Sequence, residues 1–367
     1  MNDMDSLFCF LLAGGEGSRL KSLTKDTCKP LVKIGSHYHL VDFTLLNCLY
    51  SDIFNIALIV QYESIDLIKY VFESNLPSIG NFYILPPKTK LDSKENILYQ
   101  NTAHSVYLNM DMVDDSFKDI IILSGDHVYS MDYSNFYKSH KENNADLTVG
   151  CVQVPIEDAS RFGIFNLDEN EKIESFEEKP ENPKSNFASM GIYIFKKELL
   201  FDVLDELVDK IGYNLDFGRD VIPYYLEKYN VDLYKFEGFW KDVGTVHAFW
   251  EINMAILDNP ICILQFLNFK ERFKISQDTY TSVPAFFDSN SRVSSSIIGK
   301  KSYINGEIIH SVIGNNVRIE DDVKITDSVV MDNCSIKNGV NIKYAVISKN
   351  CIIEEDVIGE PDNILII

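Results

Sequence analysis

Leu7-Phe8-Cys9-Phe10-Leu11-Leu12 runs without a break into Ala13-Gly14-Gly15-Glu16-Gly17-Ser18-Arg19-Leu20. Six apolar residues that stop at a glycine cluster read as a strand covered on both faces, because a half-exposed strand would alternate polar and apolar positions. The three glycines let the backbone approach a ligand with no Cβ in the way, so its N–H groups can cradle phosphates. No Gly-Lys-Ser/Thr follows, and Leu20 stands where a dinucleotide fingerprint needs a third glycine, so the turn is neither a P-loop nor that fingerprint. Taken alone, it is equally well a structural turn. Arg19 and Lys29-Pro30 follow closely and supply cations where a triphosphate would want them.

Outward from this turn, short apolar runs at 56–61, 119–123, 147–154 and 191–195 read as further strands. Helical patterns fall between them at 41–49, 102–112, 135–142 and 197–207. The alternation predicts an α/β domain with a mostly parallel sheet over residues 1–255. Asp258-Asn259-Pro260 ends the last helix, and residues 256–287 read as a linker. Over 288–367 the texture changes to a repeat. Val317, Val323 and Val329 lie six apart, as do Cys334, Val340 and Val346, and then Cys351 and Val357, with Asn and Asp pairs at the intervening turns. Small aliphatics at a six-residue phase predict a left-handed parallel β-helix. Three β-hairpins are the alternative, but hairpins would not hold phase over so long a stretch.

A net charge of −21 argues against a nucleic-acid or anionic-membrane surface. Any Lys and Arg needed for a phosphate substrate must therefore be gathered in one pocket. Seven Cys without a single CxxC fit buried thiols of a reducing cytosol. The N-terminal apolar run is too short for a signal peptide, and no stretch approaches a membrane span. A soluble, cytoplasmic protein is expected.

The glycine turn resembles the nucleotidyltransferase signature Leu-Ala-Gly-Gly-x-Gly-(Ser/Thr)-Arg-Leu, followed here by Leu23-Thr24 and Lys29-Pro30. Further blocks resemble the bacterial glucose-1-phosphate adenylyltransferases (ADP-glucose pyrophosphorylases). They are Val41-Asp42-Phe43, Ser124-Gly125-Asp126-His127, Arg161-Phe162-Gly163, Phe176-Glu177-Glu178-Lys179-Pro180, Ala188-Ser189-Met190-Gly191-Ile192-Tyr193, Asp216-Phe217-Gly218 and Phe239-Trp240-Lys241-Asp242-Val243-Gly244-Thr245. They stand in family order across 7–255, with the repeat where the family has its β-helix. The resemblance implies a Rossmann-like nucleotidyltransferase domain that joins ATP and glucose 1-phosphate into ADP-glucose for glycogen synthesis. It also implies a tetramer, either homomeric or shared with a paralogous subunit.

The chemistry explains the residue types. In this reaction a sugar-phosphate oxygen attacks the α-phosphorus of ATP. That oxygen is already anionic near neutral pH, so no general base is required, only alignment of two polyanions and neutralisation of their repulsion. Such work calls for Mg²⁺ on one or two carboxylates. Asp126 ends a buried strand, where α/β folds bind ligands. By resemblance it and Asp242 are the metal carboxylates, and Arg19 and Lys29 the catalytic cations. Leu12, Ala13, Gly14, Gly15, Gly17, Tyr99 and Gly125 would hold the nucleotide. Gly163, Glu178, Lys179, Ser189, Tyr193, Asp216, Phe217 and Trp240 would hold the sugar phosphate. Without context, a Gly-Asp after a strand is a turn or cap, Glu-Glu-Lys-Pro is a solvated turn, and Tyr193 and Phe217 could equally be core. His127 is expected to support the loop behind Asp126.

Departures fall beside the metal site rather than in it. Asn101 replaces a family glycine near the nucleotide, where its tolerance of left-handed backbone would preserve the loop. His37 and His39 stand where relatives carry Lys or Arg that bear on activator binding. A regulatory or weakened subunit of such an enzyme, and an enzyme of this class using another nucleotide, are the competing readings. The features that would betray a non-catalytic subunit, loss of Arg19, Lys29, Asp126, Lys179 or Asp242, are absent from the sequence.

Overall fold

The computed structural model describes residues 3–15, 17–62, 64–74, 80–89, 96–259 and 283–367. Most of the predicted linker, 260–282, lies outside the described residues.

The opening apolar run forms the strand Leu7–Leu12, which pairs in parallel with Asn55–Ile59 on one side and Asp119–Ser124 on the other. Its unbroken hydrophobicity has a direct cause. Leu7, Cys9 and Leu11 point into one core, and Phe8 and Phe10 into a second core on the opposite face. Ile121 and Leu123 against Ile120 and Ile122 repeat the division in Asp119–Ser124. Asn81–Leu85 extends the parallel half. Beyond Asp119–Ser124 the sheet turns antiparallel through the long strand Phe187–Lys196, which carries Leu147–Gln153 and Gly163–Leu167. The sheet is therefore mixed, with its parallel half on the glycine-turn side.

The helix Leu40–Tyr50 is buried along nearly its whole length, so its polar residues must find partners inside the protein. Thr44 donates to the Ser124 carbonyl at 2.8 Å. Asn47 donates to the Tyr129 carbonyl and accepts from the Met131 N–H, both at 3.1 Å. These bonds hold both ends of the segment that carries Asp126. The pattern at 102–112 is interrupted: the helix covers Thr102–Tyr107, and a separate 3₁₀ turn covers Met110–Met112. Asn109 causes the break, because its buried amide donates to the Ser105 carbonyl and to the Tyr99 hydroxyl.

After residue 283, short strands build three parallel sheets of five strands each, the arrangement of a left-handed β-helix. Arg318 pairs with Ser335 and Ser335 with Ile352, so these coils take 335 − 318 = 17 residues, whereas Tyr303 to Arg318 and Ile342 to Val357 close in 15. The six-residue phase is thus two spacings of six and one of five: Val317 to Val323, Val323 to Val329, then Val329 to Cys334. The β-helix is not merely tethered. Val312, Val329 and Val346 share a core with the α/β domain, Trp250 donates its indole N–H to the Asp327 carbonyl at 2.7 Å, and Lys33 pairs with Asp332 at 2.5 Å.

Candidate active site

The glycine turn leaves the carboxyl end of Leu7–Leu12 and is pinned on both sides. Ala13 N–H donates to the Ile59 carbonyl and Gly125 N–H to the Leu12 carbonyl, each at 2.9 Å. Gly17 has φ +69°, and a Cβ there would sit 3.0 Å from both Lys29 Cβ and Thr24 Cγ2. Its lack of a side chain lets Lys29 pass underneath. No Cβ contact constrains Gly15 within 4 Å, which leaves its backbone open.

A cleft of about 300 Å³ opens above this turn, lined by Leu12, Ala13, Gly14, Gly15, Lys29, Tyr99 and Asp126. Seven expected residues therefore meet at one surface. Gly17 and Gly125 act from behind it. The cleft also takes in Asn101, expected near the nucleotide, and Gln61, Thr102 and Ser124, to which the sequence attached no role. Gln61 holds the Tyr99 backbone by accepting from its N–H at 2.6 Å and donating to its carbonyl at 3.2 Å. The Tyr99 hydroxyl donates to the Pro86 carbonyl at 2.9 Å, so its ring presents a face rather than a polar tip. Asn101 is extended (φ −154°, ψ −176°), which corrects the expectation of a left-handed residue; its side chain turns away to hydrogen-bond Asn214.

At the floor of the cleft, chain segments far apart in sequence converge. Trp240–Asp242 pairs antiparallel with His127–Tyr129, setting Asp242 opposite His127. Carboxylate oxygens of Asp126 and Asp242 and a ring nitrogen of His127 all lie within 4.8 Å of one another. Lys29, 5% exposed, reaches both carboxylates, at 2.5 Å from Asp126 Oδ2 and 3.6 Å from Asp242 Oδ1. Burial pushes the Asp126 carboxyl up, but the Lys29 and His127 charges and hydrogen bonds from Lys29 and Ser124 outweigh it and hold it well below the ordinary range. Burial likewise pushes the Lys29 amine down, and the two aspartates more than offset it, raising it above its ordinary value. Arg19 joins from the glycine-turn side: a Cβ on Gly244 would lie 2.9 Å from Asp242 Oδ2 and 3.3 Å from an Arg19 guanidinium nitrogen. His127 was expected behind the loop; its Nε2 instead faces the carboxylates, 3.4 Å from Asp126 and 3.9 Å from Asp242.

The donor set fits a hard divalent cation, since two carboxylates converge with an imidazole nitrogen beside them, while Lys29 holds the two carboxylates together from the other side. Among the described residues this is the one group of three or more such side chains that could hold a metal ion.

The residues expected for the sugar phosphate form a second wall. Gly163 pairs with Glu178, and Cβ atoms built on Gly163 and Gly218 would both crowd Glu178 Oε2, the first at 2.8 Å. Glycine at both positions gives the Glu178 carboxylate its place. Asp216 accepts from the Gly218 and Arg219 N–H groups at 2.9 and 3.1 Å and from the Thr102 hydroxyl at 2.9 Å, tying this wall to the cleft. Ser189 bonds with Tyr193; burial, first, and the Asp216 and Glu178 charges together push the Tyr193 hydroxyl up despite that bond. Tyr193 and Phe217 are nearly fully buried and pack together with ring centroids 5.4 Å apart, so their rings belong to the core beneath this wall. Lys179 is left-handed (φ 48°) with its side chain 64% exposed, and its amine lies 3.0 Å from Glu178. Trp240 packs edge-on against His127 and Phe162, at 5.2 and 5.3 Å.

His37 and His39 do not form an open cationic pair. His39 packs edge-on to Tyr70 with Nδ1 3.9 Å from Asp42, and His37 Nδ1 bonds with the Ser36 hydroxyl at 2.9 Å. Sequence reading attached no role to Arg161, whose guanidinium approaches Asp242 to 4.0 Å. A cation two residues before the close-approach Gly163 was the available signal.

Residues 9–259 match the nucleotidyl transferase family, and residues 283–363 match the GlmU-like, C-terminal hexapeptide family. The chain is 39% identical over 329 residues to a glucose-1-phosphate adenylyltransferase of Mycoplasma mobile, covering 88% of this chain and 84% of that protein. It is 40% identical over 323 residues to a glucose-1-phosphate adenylyltransferase of Lachnospira eligens, covering 86% of this chain and 74% of that protein.

Proposed function

This chain belongs to the nucleotidyl transferase family and, within it, to the glucose-1-phosphate adenylyltransferases, and we propose that it transfers the adenylyl group of ATP to α-D-glucose 1-phosphate. The products are ADP-glucose, for glycogen biosynthesis, and pyrophosphate. The observation that carries this reading is the meeting of Asp126 and Asp242 over Lys29, between a glycine-lined cleft and a wall of polar groups.

The backbone of Ala13, Gly14 and Gly15 receives the triphosphate, with Arg19 and Lys29 as its cations. Leu12 and Tyr99 give the base apolar surface. Glu178, Ser189 and Asp216 match sugar hydroxyls, Lys179 meets the sugar's phosphate, and Trp240 closes the wall. Gly163 lets the sugar lie close to the strand. Because the attacking phosphate is already an anion, no side chain takes its proton, and His127 serves to orient the carboxylates. Asp126 and Asp242 would hold Mg²⁺. When bound, that ion supplies charge neutralisation at the reacting phosphates.

Among the described residues no helix is long and apolar enough to cross a membrane. The need for ATP is the basis on which we assign the reaction to the cytoplasm. We also propose a tetramer, homomeric or formed with a paralogous subunit. In support, the late coils of the β-helix leave Ile352, Ile358 and Ile367 exposed. Light scattering of the purified chain tests the assembly.

Pyrophosphate release from glucose 1-phosphate with each of four nucleoside triphosphates tests the activity. ATP should be preferred. Turnover with another nucleotide alone would reassign the base, and no turnover with any would return the chain to a regulatory role.

A further inference from the structure

The geometry points to Arg161 as a binding residue for the phosphate of the sugar 1-phosphate, a second cation beside Lys179. Arg161 ends the 3₁₀ turn Ile156–Arg161, directly before Phe162 and Gly163. The Phe162 carbonyl accepts the Lys179 N–H at 3.1 Å, and Gly163 pairs with Glu178, so the backbone of Arg161 is fixed against the sugar-phosphate wall. Its guanidinium lies 5.4 Å from the Phe162 ring centroid, and Nη1 approaches Asp158 to 3.4 Å.

Nη2 is different. It is buried, and among the described residues it has no hydrogen-bond partner. Asp242 Oδ2, at 4.0 Å, is close enough to attract the charge but too far to accept a hydrogen bond. A guanidinium cannot shed a proton to escape this, so a buried N–H without an acceptor is costly unless a ligand supplies one. The Trp240 indole N–H is likewise buried without a partner, and Trp240 packs on Phe162. Two orphaned donors on one wall require an oxygen-rich ligand, and one of them is a permanent cation, which favours an anion.

Position decides which anion. Arg161 does not line the triphosphate cleft, whereas the two residues after it are bonded to Lys179 and paired with Glu178. The anion within its reach is therefore the phosphate of the sugar. This assignment rests on the adenylyltransferase reading above.

Steady-state kinetics of Arg161→Gln and Arg161→Lys, in both directions and beside the unaltered enzyme, test it. Arg161→Gln should raise KM for glucose 1-phosphate by about tenfold or more, with KM for ATP and for pyrophosphate within about twofold. Arg161→Lys, which keeps the charge but not the fork, should fall between, and it carries the same test if the Gln variant does not fold. An equal rise in KM for ATP or pyrophosphate would move Arg161 to the triphosphate. A fall in kcat with every KM unchanged and a higher Mg²⁺ requirement would reduce it to a prop for Asp242. Unchanged kinetics in an active enzyme overturn this inference alone; an unaltered enzyme with no turnover overturns it together with the proposed function.

Discussion

Replacing Asp126 by Asn removes one charge and almost no volume, which makes it the sharpest probe of the carboxylate pair. Lys29 is 5% exposed and depends on Asp126 at 2.5 Å and on Asp242 at 3.6 Å. In the Asp126→Asn variant the new amide oxygen could still accept from Lys29, and Asp242 keeps its charge, so the buried amine is not stranded. A weakened charge-assisted bond should cost about 1–2 kcal/mol of stability, too little to unfold the protein. Catalysis should suffer more, because the lost charge is one of two carboxylates suited to hold the cation that screens the reacting phosphates. Losing one such preorganised group typically costs about 10²-fold in kcat, or roughly 2.7 kcal/mol. The assay is pyrophosphate release at saturating ATP and glucose 1-phosphate with Mg²⁺ titrated upward, beside thermal melts of both proteins. A kcat within about twofold of the unaltered enzyme at saturating Mg²⁺ would remove Asp126 from the chemistry.

Lys179→Ala should raise KM for glucose 1-phosphate by roughly thirtyfold, for about 2 kcal/mol of lost ground-state binding, and spare the ATP KM; equal effects on both would refute its assignment to the sugar phosphate. Asp119 tests pH dependence away from the site. It is 1% exposed; burial pushes its carboxyl up, but His140 at 3.6 Å and hydrogen bonds from Lys141 and Tyr137 outweigh that and bring it from 3.8 down to about 2. A carboxyl depressed in the folded state stabilises fully above the unfolded value and loses that contribution as pH falls through the folded one. Asp119→Asn should therefore lose about 2 kcal/mol at neutral pH, and its deficit in urea midpoint should close as pH drops from about 4 towards 2; a deficit constant with pH would contradict the ion-pair account. Truncation after residue 290 removes Val312, Val329 and Val346 from the core they share with the α/β domain, and should give aggregated or inactive protein; a well-behaved, active monomeric fragment would count against that shared core.

The glycine turn, the strands at 7–12 and 119–124 and the β-helix were legible because each is a local pattern with one physical cause. Two-faced burial makes an unbroken apolar run, and a repeating coil makes a repeating valine. Even there the structure adjusted the count, since the central coils close in 17 residues, as six, six and five, and others close in 15. The helix at 102–112 was misjudged in length because its end depends on where the Asn109 amide finds acceptors, which periodicity does not encode. Asp126 was legible as a polar residue at a strand end, but its role came from the resemblance of its block, since a Gly-Asp there alone is equally a turn. That Asp242 and Lys29 meet it within a few ångströms is a consequence of Trp240–Asp242 pairing with His127–Tyr129, and of a glycine at 17 that lets Lys29 through. The orphaned guanidinium of Arg161 lies furthest from the sequence. An unmet hydrogen bond exists only once every neighbour has taken its position, so the residue types were written in the chain, and their unmet needs were decided by the fold.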